Sequence, residues 1–302
     1  MTSRAVVIVS GVLSHSPFTT PDAACATGHA AGNSDTFLRQ YLLDAGLDVY
    51  TAPQRMGDGQ VVELDDPFMG PFGSCPAPLP AEMTVDTTAD IVLSGPRLLR
   101  FVEYLRDRFG VIEIDLIGHS MGGLLARTLI GEIARADHPV RVRTLTTVGS
   151  PWEPPMIVRQ TDPDVPESAC DGLEACEVFV REVFAARPQI DALIDRARHG
   201  YDEWADSLLG TLDDIPVTLV AGHHFTKENG DPDRWPNDGV IQLSASTAAN
   251  VDERHLPDRR VHALPLTHSL FVSETVGLGP ETALNWTPEV GRIIADFIGS
   301  VG

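Results

Sequence analysis

Two rhythms of apolar residues run along this chain. One is a set of short runs rich in apolar and β-branched side chains: residues 4–9, Leu47–Tyr50, Ile112–Ile117, Val142–Val148, Val217–Ala221 and Arg260–Leu264. Their length and composition predict strands, the first of them, at residues 4–9, buried. The other rhythm has the spacing of a helix. It predicts a helix through Phe37, Leu38, Tyr41 and Leu42, capped by Asn33, Ser34 or Asp35 and ended by Gly46. It predicts a long helix over 86–109, with Ile91, Leu98, Leu99, Val102 and Leu105 on one side and Pro96 placed to bend or divide it. A third helix runs from the glycine-rich turn at 118–123 to about Ala134. In the last helix Thr287 is the cap, Pro288 takes the first position, and Ile293, Ile294, Phe297 and Ile298 form the inner face. Strands alternating with helices predict an α/β fold on a mostly parallel sheet with right-handed crossovers.

Two stretches interrupt this alternation. Residues 51–85 are dense in proline and glycine and read as a long loop, whose Phe68, Met69 and Phe72 tuck it onto the body or line a pocket, the former being favoured. Residues 152–215 contain no strand signal. They carry three apolar helical faces: Val178, Phe179, Val180, Val183 and Phe184; then Ile190, Leu193 and Ile194; then Trp204, Leu208 and Leu209. A helical insertion between two sheet strands cannot extend the sheet, so it is expected to sit over one edge as a cap. The organisation is therefore one domain over 1–302 with a helical insertion at 152–215.

The candidate chemistry centres on Gly118-His119-Ser120-Met121-Gly122, which follows a predicted strand and opens a predicted helix. In that setting a G-x-S-x-G turn presents its serine as a nucleophile. The alternative is a glycine-rich strand-to-helix turn with an incidental serine; the flanking strand and helix are the context expected to confirm the nucleophile. The helix N-terminus supplies partial positive charge beside the serine. A serine hydroxyl needs a base, usually a histidine held by a carboxylate. Among ten histidines, His268 lies on a loop after the last strand, at the sheet edge where the serine emerges. His262 falls within that strand, His255 precedes it at the opposite edge, and His119 points away from the nucleophile and reads as structural. The carboxylate is expected after the preceding strand. Asp238, in Asn237-Asp238-Gly239-Val240-Ile241, is preferred to Asp231 and Asp233, which sit in a polar, proline-containing turn. Two backbone N–H groups must hold an oxyanion. Met121 supplies one, and Val12 or Leu13, after the first strand, the other, with Gly11 allowing close approach.

On these residues the chain resembles the α/β-hydrolase superfamily and, within it, bacterial triacylglycerol lipases and related serine esterases. The resemblance is carried by Gly118-His119-Ser120-Met121-Gly122-Gly123, Thr147-Val148-Gly149-Ser150-Pro151, Asn237-Asp238-Gly239-Val240 and His268, and covers residues 4–150 and 216–300. It implies an α/β-hydrolase fold with Ser120 as nucleophile, Asp238 as acid, His268 as base and a mobile lid. One departure stands out: those lipases usually have His-Gly where this chain has Ser10-Gly11, so the oxyanion loop is expected to be braced differently. The expected activity is hydrolysis of esters with a hydrophobic acyl or aryl part. A thioesterase or acyltransferase would use the same groups, and a non-catalytic ligand-binding protein would keep the fold with a misaligned triad.

Charge and cysteine content add limits. The net charge of −21, from 43 acidic and 22 basic residues, opposes binding to nucleic acid and to anionic membranes. No apolar run approaches a membrane span. The segment before the first strand is too short for a signal peptide, which favours an intracellular protein unless a leader has been removed. The four cysteines lie outside the predicted strands without metal-type spacing. Pairing as Cys25–Cys75 and Cys170–Cys176 implies an oxidising compartment; four free thiols imply the cytosol. The even count favours the first, the missing leader the second. Adjacent His223 and His224 point apart on an extended backbone, so no metal and no other cofactor is expected. The expected partner is a small hydrophobic ester.

Overall fold

The computed structural model describes residues 4–25, 36–64, 72–159 and 165–301. The cap expected at Asn33, Ser34 or Asp35, and the side chains of Phe68 and Met69, lie outside them. Six strands form the main sheet: β1 (Arg4–Val9), β2 (Val49–Thr51), β3 (Glu113–His119), β4 (Arg141–Val148), β5 (Val217–Gly222) and β6 (Arg259–Leu264). They lie in the order β6-β5-β4-β3-β1-β2, every neighbouring pair parallel. The chain leaves β1 toward β2, then returns to place β3 on the other side of β1. In an open parallel sheet the crevice at such a reversal, beyond the carboxyl ends of the strands, is where ligands bind.

Side-chain alternation along β1 shows why the apolar runs are continuous. Ala5, Val7 and Val9 join a core with Leu98, Phe101, Val102 and Leu105 of α2 (Ser94–Phe109) and Leu125 and Leu129 of α3 (Gly122–Arg135). Val6 and Ile8 face the other way, against Leu38 and Leu42 of α1 (Thr36–Asp44) and Ile294 and Ile298 of the C-terminal helix, Pro288–Ser300. Both faces are covered, so neither position can be polar. Thr287 caps the C-terminal helix through its side chain, which accepts from the Glu289 N–H. Among the described residues no helix is long and apolar enough to cross a membrane.

The helix expected over 86–109 is shorter. Val85–Asp86 instead pairs in parallel with Gln54–Arg55. The Asp86 carboxylate accepts from the Thr88 N–H and hydroxyl, an Asx turn that competes with helix. Helical structure begins after the Asp90 cap as a short 3-10 turn, Ile91–Leu93, and becomes α-helix at Ser94. Pro96 then lies in the first turn, where its missing N–H costs nothing, so it neither bends nor divides α2. The described part of the 51–85 loop is also more ordered than its composition suggests: Gly73–Ser74 pairs with Ala24–Cys25, and Phe72 is buried beside Val61 and stacks on His15.

Between β4 and β5 the described part of 152–215 carries helices and no strand: Met156–Arg159, α4 (Glu174–Ala185), Asp191–Asp195 and Tyr201–Asp206 among them. Trp204 and Leu208 of the third apolar face are buried, whereas Leu209 is exposed. Arg127 of α3 fastens this segment to the body. Its guanidinium lies 4.4 Å from the Trp152 ring and 4.6 Å from the Trp204 ring, and it donates to the Tyr201 hydroxyl at 3.3 Å. The cysteines pair as Cys25–Cys75 and Cys170–Cys176.

At the opposite, amino-terminal edge of the sheet, fully buried Asp115 accepts from Arg143 (2.9 and 3.0 Å), Arg4 (2.8 Å) and the Thr144 hydroxyl (2.8 Å). Removing one partner of a buried ion pair leaves the other charge uncompensated. Asp115→Ala is therefore expected to cost about 3–5 kcal/mol, read as a lower urea midpoint at unchanged slope. Arg141→Ala, which removes the exposed pair with Glu113, should cost less than about 1 kcal/mol. Equal losses for the two variants would contradict this account.

Candidate active site

Ser120 stands at the carboxyl end of β3, at φ 56°, the left-handed region that a side chain rarely occupies. The turn is held there by close backbone approach. A Cβ on Gly118 would lie 2.4 Å from the Gly123 nitrogen, and one on Gly122 would lie 2.0 Å from the Val9 carbonyl oxygen. The Ser120 N–H donates to the Val148 carbonyl at 2.9 Å, which ties the turn to the end of β4. Met121 caps α3, and its N–H is among the first donors of the helix, which have no intrahelical acceptor.

The structure brings Asp238 and His268 together. The His268 Nδ1–H donates to Asp238 Oδ2 at 2.8 Å, and the His268 backbone N–H donates to the Asp238 carbonyl at 2.7 Å. The other carboxylate oxygen accepts the N–H groups of Val240 (3.0 Å) and Ile241 (2.7 Å). Gly239, at φ 103°, permits the tight turn that aims those donors back. Asp238 is fully buried and His268 nearly so. A carboxylate on Nδ1 leaves Nε2 as the basic nitrogen. Gly149, directly after Val148, packs against the imidazole: a Cβ there would lie 3.1 Å from Nδ1. One dipeptide thus contacts both the serine turn and the histidine ring. His119 has a more specific structural role than its position suggests. Its Nε2–H donates to the His268 carbonyl at 3.0 Å, joining the serine turn to the histidine loop.

The rejected candidates lie elsewhere. His262 is half-buried on edge strand β6, and His255 pairs with Asp206 at 3.2 Å. The Asp231 carboxylate accepts from the Asp233 N–H in a local turn. The backbones of His223 and His224 bond to Leu264 and Leu266, and the His224 ring bonds to the Pro265 carbonyl. Among the described residues no group of three His, Cys, Asp or Glu side chains is placed to hold a metal ion.

Above Ser120 lies a cavity of about 100 Å³. Val12, Met121 and Leu124 line it together with Phe179, Val183 and Ile194 of the 152–215 segment. Among the described residues Ser120 carries the one polar side chain in the lining. Val12 thus shares the cavity with Ser120, and Gly11 packs on the serine itself: a Cβ there would lie 2.7 Å from Ser120 Cβ and 3.1 Å from Oγ. Leu13 takes the positive φ of the turn, 59°. The insertion also grips the Asp238 loop. Gln242 accepts from the Met156 N–H at 3.2 Å, and Asp171 accepts from Lys227 (2.6 Å) and from the Trp235 indole (3.0 Å). Sequence reasoning missed Gln54, whose buried side chain bonds to both the N–H and the carbonyl of Ser10. Nothing local marks it, since it lies in the proline- and glycine-rich stretch.

Residues 94–194 match a family model described as the alpha/beta hydrolase fold. Among solved structures, the mature form of the lipase BlEst2 of Bacillus licheniformis superposes with a TM-score of 0.55 at 11% identity, over 97% of this chain and 91% of that one. The esterase Pf2001 of Pyrococcus furiosus gives 0.51 at 13% identity, over 100% of this chain and 83% of that one. No curated protein matches the chain in sequence. The chain has the α/β-hydrolase fold, with a parallel central sheet flanked by helices.

Gly11→Ala is expected to displace the Ser120 side chain and slow its modification by a fluorophosphonate about 100-fold, the scale of a 1 Å misplacement. Circular dichroism should show the fold retained. Labelling at the wild-type rate would mean that Gly11 does not set the serine geometry.

Proposed function

On the premise of the α/β-hydrolase fold, we propose that the protein is a serine ester hydrolase acting on esters with a hydrophobic acyl or aryl part. Ser120 Oγ attacks the ester carbonyl while His268 Nε2 takes its proton. Asp238 holds the imidazole in the required tautomer and stabilises the imidazolium. The oxyanion of the tetrahedral intermediate sits against the N–H groups of Met121 and Val12, at the positive end of α3. On collapse His268 returns the proton to the leaving alcohol, and Ser120 keeps the acyl group. His268 then deprotonates a water that attacks the acyl-enzyme, and the carboxylic acid leaves as Ser120 is restored.

The observation that carries this reading is the cavity, in which Ser120 is, among the described residues, the one polar side chain between apolar walls. Such a pocket favours a hydrocarbon chain, whose burial contributes about 0.8 kcal/mol per methylene, and leaves a charged acyl group without partners. Because Phe179, Val183 and Ile194 come from 152–215, that segment sets the acyl preference and serves as the lid. A carrier-bound thioester would present the same acyl group to this cavity, so the leaving group is decided by turnover of the two substrate classes.

Nitrophenyl esters of graded chain length and matched acyl thioesters would compare the leaving groups. The ester should turn over faster, and Ser120 should be the labelled residue. Ser120→Ala should abolish labelling, and Asp238→Asn should lower kcat about 10⁴-fold. Full turnover by Ser120→Ala, or an unlabelled wild-type serine, would sink the enzyme reading. Ile194→Trp should narrow the cavity and shift the preference toward shorter acyl chains. An unchanged chain-length profile would remove this cavity from acyl binding.

A further inference from the structure

We propose that Gln54 is a positioning residue for the oxyanion: its side-chain amide fixes the direction of the Val12 N–H. The inference rests on the ester-hydrolase reading of Ser120.

The ladder between β1 and β3 ends where Val9 pairs with Gly118. Ser10 is the first residue beyond it. The Gln54 amide takes over there. Its oxygen accepts the Ser10 N–H, and its nitrogen donates to the Ser10 carbonyl at 2.9 Å. A primary amide presents its carbonyl oxygen and one of its two N–H groups side by side, as the C=O and N–H of one strand residue lie side by side, so Gln54 acts as one further rung of the sheet. The side chain is fully buried, without competition from water.

Two peptide planes are fixed in this way. The Ser10 N–H belongs to the Val9–Ser10 peptide, and the Ser10 carbonyl to the Ser10–Gly11 peptide. Only the two backbone torsions of Gly11 separate the second plane from the Val12 N–H. Glycine is the residue whose torsions are least restricted by its own sterics. The direction of that N–H therefore depends on the anchoring of Ser10 and on the packing of Gly11 against Ser120. A larger residue at 11 would restrict the torsions but would strike the serine.

Gln54 is itself held firmly. Its N–H donates to the Ser16 carbonyl at 2.9 Å, and its carbonyl accepts the Ser16 N–H at 2.8 Å. Gln54–Arg55 also pairs in parallel with Val85–Asp86. The amide thus extends from a segment bonded on two sides, and the loop after β1 is tied to it at Ser10 and at Ser16. A preorganised donor of an oxyanion hole is worth about 10²–10³ in kcat. Loss of its orientation should therefore appear in kcat and not in ground-state binding.

The test compares the wild type with Gln54→Met and Gln54→Glu, using a nitrophenyl ester and an alkyl boronic acid that mimics the tetrahedral intermediate. Gln54→Met keeps the length and removes both hydrogen bonds. It should lower kcat about 100-fold at unchanged KM, and weaken boronic acid binding by the same factor as kcat/KM. Gln54→Glu separates positioning from packing. Its ionised carboxylate cannot donate to the Ser10 carbonyl, whereas its protonated carboxyl restores both bonds. Burial raises the pKa of such a carboxyl, so the activity of Gln54→Glu relative to the wild type should rise as the pH falls from about 8 to about 5.5. Wild-type kcat in folded Gln54→Met, or a flat Gln54→Glu to wild-type ratio, would overturn the proposal. If Gln54→Met does not fold, the pH ratio of Gln54→Glu decides. A wild type that neither turns over esters nor labels at Ser120 would overturn the ester-hydrolase reading itself, and this inference with it. An active wild type beside an unaffected Gln54→Met overturns only the role of Gln54.

Discussion

The site depends on how closely β3, α3 and the end of β1 approach one another. Gly122 lies so near the Val9 carbonyl that no side chain fits between them, and Gly118 leaves no more room for one against the start of α3. This approach forces Ser120 into the left-handed region and points the first turn of α3 at the space beside it. It also brings the loop after β1 onto the serine, where Gly11 touches Ser120. Strain at one residue is maintained because the strands on both sides are fully paired and buried. Nearly every other feature of the site is placed relative to that point.

Local features of this arrangement could be read from the sequence. The serine turn announces itself by its glycines and by the apolar run before it. Asp238 and His268, which the structure joins by a hydrogen bond, each follow a strand that the pattern of residues marks. What could not be read depends on partners distant in the chain. Gln54 acquires its role only because β1 ends beside it and Ser16 pairs with its backbone. The start of α2 was obscured because helical spacing continues through 86–93, while Asp86 and Thr88 form a competing turn that spacing does not reveal. The exposure of Leu209 has the same origin: its neighbours Trp204 and Leu208 are buried by Arg127, Trp152 and the core, and helical periodicity alone does not say where that contact ends.

The 152–215 segment links shape to chemistry. Its walls narrow the space above Ser120, while Gln242 and Asp171 connect it to the turn that carries Asp238. The Cys170–Cys176 bridge, next to Asp171, shortens the span over which this connection can move. At its far end Arg127, held between two tryptophan rings, fixes the segment to the helix that begins at the serine. The segment is therefore tied at both ends to elements of the site, and a shift in its packing would be felt at Asp238 and at α3.

Lys227, which bonds to Asp171, is the only lysine in the chain. Its side chain remains 44% exposed. Apart from the α-amino group, the sequence offers a single target to amine-directed reagents. A dye, a biotin or a solid support coupled through the ε-amino group would be attached at one defined place, where the helical segment meets the Asp238 loop. Coupling there also removes a positive charge from an already acidic surface and takes the ion pair from Asp171, leaving its carboxylate bonded to the Trp235 indole. Surface conjugation of this protein is thus inseparable from a change in the contact that joins its two most consequential loops.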